Sequence, residues 1–121
     1  MLFGTAEPAP PLTTVDWQTP SLGPALSDVA YFLSGSLERT ELRSAEAGLL
    51  AQYRSRLGFH GVNLSEGDCL NQYRLASPGG FVMAVIASQL VGQTDRGDEM
   101  FMVMAEGSAS QSLDLDTRAL V

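Results

Sequence analysis

Two short runs of hydrophobic and β-branched residues lie near the start of the chain, on either side of a proline-rich segment. Leu2-Phe3 is the first run, and the second extends from Leu12 to Trp17. Runs of this composition between turn-forming residues are typical of short strands. We therefore expect residues 1–18 to form an antiparallel β-hairpin, with Asp16 at the exit of its second strand.

From Leu26 onward the apolar residues recur at helical spacing, so residues 25–107 are predicted to form a helical subdomain. Capping residues and glycines divide this region. The predicted helices are one capped by Ser27 and ended near Gly35, one that runs through Leu57 and stops at Gly58, one begun by the capping box Ser65 to Asp68, one from Phe81 to Leu90, and one that starts behind Thr94 and ends near Gly107. The polar residues 108–121 are expected to form a frayed tail.

The run from Phe81 to Leu90 is apolar on nearly every side, which predicts a central, buried helix. It is well short of the ~20 residues that are needed to cross a bilayer. Met100 and Met104 lie one helical turn apart and are expected to be core residues. Cys69 is the single cysteine, so no intrachain disulfide can form, and we expect it to be a small apolar residue of the core.

The charge of the chain limits its partners. It carries 14 acidic residues against 7 lysines and arginines, a formal net charge of −7, which repels phosphate backbones and anionic lipid surfaces. The start Met1-Leu2-Phe3-Gly4 lacks the basic stretch and apolar run of a signal peptide. We expect a cytoplasmic protein that binds neither nucleic acid nor membranes.

Three features follow one another after the predicted hairpin: Val15-Asp16-Trp17-Gln18, a loop that contains Gly23, and a helix that begins around Asp28. This order resembles the metal-binding segment of the aminoglycoside/choline kinase-like phosphotransferase family, and also its ecdysteroid kinase-like members. The specific match spans residues 1–37, and the remainder fits as a helical pattern. The resemblance implies the C-terminal helical lobe of a protein-kinase-like fold, mainly α with a short N-terminal β-hairpin.

The resemblance implies that Asp16 is a ligand of the Mg²⁺ ions that bridge the phosphates of ATP, and that Asp28 braces the catalytic loop. Independently of the family, a carboxylate at a strand exit is a suitable ligand for a hard cation that neutralises charge during phosphoryl transfer. The alternative for Asp16 is that it caps a turn or the next helix. The alternative for Asp28 is an ordinary acid in the first turn of a helix.

Family members carry a His-Gly-Asp loop and an asparagine just before a strand like Met1 to Gly4, and this chain has neither. We therefore expect residues 1–121 to be a partial C-terminal lobe, inactive by itself, with Met1 an internal methionine or the gene truncated. No catalytic or nucleotide-binding residue is assigned. In the complete parent a small-molecule hydroxyl would accept the γ-phosphate. The acids near the helices are candidates for contacting a cationic acceptor, although solvated charges are the commoner case: Glu38, Glu41, Glu46 and Asp68.

A second hypothesis is a nonenzymatic helical module, or a pseudoenzyme remnant, whose apolar face binds a partner or a second copy. The absence of the catalytic loop favours it. Under the first hypothesis, the surfaces that normally pack against the nucleotide-binding lobe would be apolar and exposed. That hypothesis therefore predicts that the 121-residue chain self-associates or binds hydrophobic dyes.

Overall fold

The computed structural model describes residues 2–3, 12–15, 20 and 22–120 of the chain. These residues are mainly α-helical, as the sequence predicts. The elements in chain order are β1 (Leu2–Phe3), β2 (Leu12–Thr13), α1 (Ala25–Ser36), α2 (Arg39–Phe59), α3 (Glu66–Ala76), α4 (Gly79–Leu90), α5 (Asp95–Asp114) and a 3₁₀ helix (Thr117–Leu120).

The two strands form an antiparallel pair, as the sequence predicts. The predicted extent of the second strand is wrong, because β2 ends at Thr13 and not at Trp17, so Asp16 lies three residues beyond the end of the strand. Leu2 is opposite Thr13, and Phe3 is opposite Leu12. The side chains of Leu12, Thr13, Thr14 and Val15 are exposed. Strand β2 and the two residues that follow it therefore lie at the surface, ahead of the helices.

Local chemistry explains how α1 and α2 begin and end. Ser27 does not cap α1: Pro24 is the N-cap residue, and its carbonyl oxygen accepts a hydrogen bond from the Ser27 amide. At the end of α2, Gly61 has a φ of 80°, a left-handed conformation in which glycine is favoured. The amides of Gly61 and Val62 donate to the carbonyl oxygens of Gly58 and Leu57, which is a Schellman motif. The helix therefore ends at Phe59, one residue after the predicted stop at Gly58, and Gly61 is the glycine that terminates it.

The predicted starts of α3 and α5 are confirmed. The Ser65 hydroxyl accepts a hydrogen bond from the Asp68 amide at 3.0 Å, and the Thr94 hydroxyl accepts one from the Gly97 amide at 3.1 Å. The helical structure is interrupted at Ser77-Pro78, between α3 and α4, as predicted. Proline has no amide hydrogen to donate, so it cannot make the hydrogen bond that a continuous helix requires.

The core lies where α1, α2 and α3 meet. It consists of Leu26, Ala30 and Leu33 from α1, Leu42 and Leu50 from α2, and Cys69 and Tyr73 from α3. The expected role of Cys69 is confirmed, since it is a free, buried cysteine of this cluster.

The expectation of a frayed tail from Ser108 is wrong. Helix α5 continues to Asp114, and Ser108 and Gln111 are its buried residues. The Ser108 hydroxyl donates to the carbonyl oxygen of Ser77 at 2.5 Å. Polar side chains can be buried when they have hydrogen-bond partners, and bonds of this kind allow the polar residues of this segment to be buried.

The expectation that the apolar run of α4 is central and buried is also wrong. Only Gly80 and Ala84 of this helix are buried. Six large apolar side chains of α4 are 45–80% exposed: Phe81, Val82, Met83, Val85, Ile86 and Leu90. The narrow buried stripe of α4 packs on α5 and, less extensively, on α1, and the large apolar side chains on the other sides of the helix stay exposed. Met100 is likewise 52% exposed, so its assignment to the core is wrong, whereas Met104 is half-buried.

Candidate functional site

The metal ligand expected from the sequence, Asp16, lies outside the described residues, as do Trp17 and Gln18. Before Asp16, the structure describes Thr14 and Val15, which follow Thr13, the last residue of β2. After Asp16, it describes the segment from Leu22 that leads into α1. The assignment of Asp16 as a Mg²⁺ ligand therefore stays a prediction.

Asp28 lies in the first turn of α1. Its side chain is exposed and lines a groove of about 520 Å³ between α1 and the start of α4, together with Tyr31, Leu75, Val82 and others. A carboxylate here interacts favourably with the positive end of the helix dipole. Its role in bracing a catalytic loop stays a prediction.

A buried chain of hydrogen bonds joins α2, α3 and α5. Tyr73 has no exposed surface, and its hydroxyl donates to Glu46 Oε1 at 2.8 Å. Gln111 Nε2 donates in turn to the Tyr73 hydroxyl oxygen at 2.6 Å. Burial, and then the bond to Glu46, raise the pKa of Tyr73 far above its usual range. The phenol therefore stays protonated and acts as the donor that links the three helices.

Gln111 is only half satisfied in this arrangement. Its Oε1 is buried and has no hydrogen-bond partner among the described residues. The other end of the amide is committed to Tyr73, whose single proton is committed to Glu46. Gln111 also lines a neighbouring groove, so this residue lies between the buried hydrogen bonds and that groove.

This groove lies between the corner of α1 and α2 and the middle of α5. It has a volume of about 460 Å³, and its lining includes four acids, Glu38, Glu41, Glu106 and Asp114, one base, Arg39, and the amide of Gln111. The last residues of α1 also line the groove: Ser34, Gly35 and Ser36. The C-terminal end of a helix carries the negative end of its dipole. The combination favours cationic groups over anionic ones.

Two arginines hold Asp114 at one end of the groove. Arg43 donates two hydrogen bonds to the Asp114 carboxylate at 2.7 and 2.6 Å, and Arg39 donates two at 3.1 and 2.7 Å. The bonds from Arg43, followed by those from Arg39, hold the pKa of Asp114 far below its usual range. Asp114 is therefore ionised but already paired, and Glu38, Glu41 and Glu106 supply the negative charge of the groove.

The acids expected near an acceptor thus have different fates. Glu38 and Glu41 line the groove, whereas Glu46 is bonded to Tyr73, and the Asp68 carboxylate accepts a hydrogen bond from the Ser65 hydroxyl at 2.6 Å. Sequence reasoning missed Asp114 because it expected α5 to end near Gly107. It missed Glu106 because only the contact of α5 with the corner of α1 and α2 brings this residue near Glu38 and Glu41. The helical spacing from Val103 through Gly107 to Ser110 and Asp114 is the signal that places these residues on one side of a longer helix.

Within residues 2–3, 12–15, 20 and 22–120, no group of three or more histidine, cysteine, aspartate or glutamate residues is arranged to hold a metal ion. In the same part of the chain, no helix has both the length and the apolar character that a membrane span requires. Comparisons with protein-family models, with curated proteins and with solved structures found no match to this chain.

Proposed function

We propose that this chain is the C-terminal helical part of a small-molecule phosphotransferase of the aminoglycoside/choline kinase-like type. The complete enzyme would transfer the γ-phosphate of ATP to a hydroxyl group of a small molecule in the cytoplasm. The observation that carries the proposal is an order of elements: a paired β1–β2 hairpin, then Asp16-Trp17-Gln18, then a helix with Asp28 in its first turn.

In this proposal Asp16 holds Mg²⁺. Magnesium ions in such enzymes are bound by one or two carboxylates together with substrate phosphates and water, so a single carboxylate fits as one ligand of a larger site. The ion would neutralise the charge that develops on the transferring phosphoryl group. The 121 residues supply no general base and no nucleotide-pairing lysine of the family, so we expect the chain to be inactive by itself.

The acidic groove supports a cationic acceptor. Glu38, Glu41 and Glu106 line a space of about 460 Å³, which is within the usual size range for small-molecule sites. We propose that these carboxylates bind amine groups of the acceptor and thereby orient its hydroxyl.

The first test is to read the genomic DNA upstream of the Met1 codon in the same frame. An open frame that ends in a His-Gly-Asp loop and an asparagine is the expected result, and a stop codon directly upstream would contradict it. The extended protein is then assayed for ATP-dependent phosphorylation of aminoglycosides, choline and related amino alcohols.

In the extended protein we expect Asp16→Asn to lower kcat by at least about 100-fold, because it removes several kcal/mol of metal-mediated stabilisation of the transition state. Asp98→Asn is the matched control, since Asp98 is an exposed acid in the first turn of α5. Equal activity of the two variants would refute the metal role of Asp16.

A nonenzymatic interaction module is the second candidate function, and the surface of α4 favours it. Its 12 residues include no charged side chain, and large apolar residues remain exposed on it. A partner that binds through α4, together with a stop codon directly upstream of Met1, would favour this function over the first.

A further inference from the structure

The surface of α4 is more than an apolar patch, because a groove follows the start of the helix on each side. One groove, of about 370 Å³, lies beside Phe81 and Leu113, next to the 3₁₀ helix. The other, of about 520 Å³, lies beside Val82 and Met83, next to α1. Helical spacing places Val82 and Ile86 on the outermost line of α4, between these flanks. The result is a ridge with a groove on either side, the shape that packs against another helix.

The charges on the two flanks are opposite in sign. Among the described residues that line the groove beside Phe81, the only charged one is Arg118. Among those that line the groove beside Val82, the only charged one is Asp28. Both side chains are exposed, and both grooves include Pro78, so they lie at the same level along α4.

This layout is complementary to itself. A two-fold axis parallel to α4 would set the two α4 ridges side by side, and would exchange left and right between the copies. The Arg118 groove of each copy would then face the Asp28 groove of the other. An antiparallel packing of the two helices would instead place like flanks on the same side. The charges therefore select the parallel arrangement.

We propose that the ridge of α4 is the interface of a homodimer, in which two α4 helices lie parallel and Arg118 of each copy pairs with Asp28 of the other. The proposal rests on these described residues and does not depend on the phosphotransferase function.

The exposed apolar area is of the size that a dimer requires. Besides the six side chains of α4, the flanks expose Tyr31, Leu75 and Leu113. These nine large apolar side chains are each 45–80% exposed, which is a surface of the order of the roughly 800 Å² that each partner contributes to a standard interface. A lipid surface is the less suitable occupant, because α4 carries no lysine or arginine and the chain has a net charge of −7.

The first test measures the mass of the 121-residue chain by sedimentation equilibrium over a range of concentrations. We expect a monomer–dimer equilibrium. Val82→Glu should weaken dimerisation by at least about 100-fold, because two carboxylates would be buried without partners. Val62→Glu is the matched control, since Val62 and Val82 are each 51% exposed and the described residues that line a groove with Val62 include none of α4. Circular dichroism checks that both variants remain folded.

The second test exchanges the flanking charges. Asp28→Arg and Arg118→Asp should each weaken self-association by about tenfold, since each variant turns two opposite-charge pairs into two like-charge pairs. Mixed at equal concentrations, the two variants should form a heterodimer with wild-type affinity, because both pairs are then opposite in sign again. The double variant should also dimerise as the wild type does.

A chain that stays monomeric at all concentrations would overturn the proposal, as would a dimer that Val82→Glu leaves intact. Failure of the two charge variants to recover affinity on mixing would overturn the parallel arrangement. Binding to phosphatidylcholine vesicles that Val82→Glu abolishes, without any dimer, would assign the ridge to lipid instead. The phosphotransferase proposal is tested by the upstream DNA sequence and by Asp16→Asn, and neither depends on whether the chain dimerises. Each proposal can therefore fail without the other.

Discussion

Gly107 of α5 lies directly against the backbone of Ser34 in α1, so closely that a Cβ atom at residue 107 would overlap the Ser34 carbonyl oxygen. The absence of a side chain at this position therefore sets how near α5 can approach α1. This approach brings the buried half of α5, with Ser108 and Gln111, onto the remaining helices.

Gly107→Ala is expected to lower the free energy of unfolding by about 1–3 kcal/mol, because the added methyl group overpacks the contact with α1. Gly48→Ala is the matched control. Gly48 lies within α2 with nothing near its Cβ position, so alanine there should stabilise the helix by up to about 1 kcal/mol. Urea unfolding of both variants measures the difference, and equal effects would contradict the close approach.

Tyr73→Phe is expected to lower the free energy of unfolding by about 1–3 kcal/mol. It removes the hydroxyl that donates to Glu46 and accepts from Gln111, which leaves polar groups without partners in the interior. Tyr31→Phe is the control, because the Tyr31 hydroxyl is exposed and its contact with a described residue is a long one, to the Met104 sulfur at 4.0 Å. Thermal unfolding of the two variants should separate them, and a Tyr73→Phe protein as stable as wild type would argue against the network.

The pairing of Asp114 with Arg43 and Arg39 predicts a loss of stability in acid. The arginines lower the pKa of Asp114 in the folded state. Such a group contributes stability that is fully present above its unfolded pKa, about 3.9, and is lost as the pH falls through the folded value. The side chains are partly solvated, so we expect Asp114→Asn to cost about 1 kcal/mol or less at neutral pH.

The measurement is the difference in free energy of unfolding between wild type and Asp114→Asn as a function of pH. This difference should be constant near neutral pH and should shrink below about pH 4. Added salt should reduce it at neutral pH, since screening weakens exposed ion pairs. A difference that grew in acid would have the wrong sign for this pairing.

The exposed ridge of α4 predicts binding of a hydrophobic fluorescent dye. We expect the fluorescence per chain to be highest in dilute protein and to fall as dimers cover the ridge. Val82→Glu should lower the dye signal at low concentration, whereas Val62→Glu should leave it unchanged. Weak dye binding at every concentration, equal for wild type and both variants, would contradict an accessible apolar surface.

The features that the sequence predicted correctly are local ones. Ser65 and Thr94 cap helices through bonds to amides three residues away, and the break between α3 and α4 follows from Pro78 and its neighbours, although α4 begins at Gly79 and not at Phe81. The errors concern contacts between distant residues. Burial of Ser108 depends on the carbonyl group of Ser77, which lies 31 residues away in the sequence. The apolar residues of α4 predict that the helix is buried, but their pattern does not identify the surface against which it packs. The acidic groove was missed in part for the same reason, since α5 brings Glu106 near Glu38 and Glu41.

The guanidinium of Arg74 fastens the end of α5 to α3. Its Nε donates to the carbonyl oxygen of Leu115 at 2.7 Å, and its Nη2 donates to that of Asp116 at 2.9 Å. Asp116 itself is in a left-handed conformation, with a φ of 46°. One side chain of α3 thus binds two successive carbonyl groups directly after α5. We therefore expect α3 and the C-terminal end of α5 to open together, so that their amide protons exchange with solvent as a single cooperative unit.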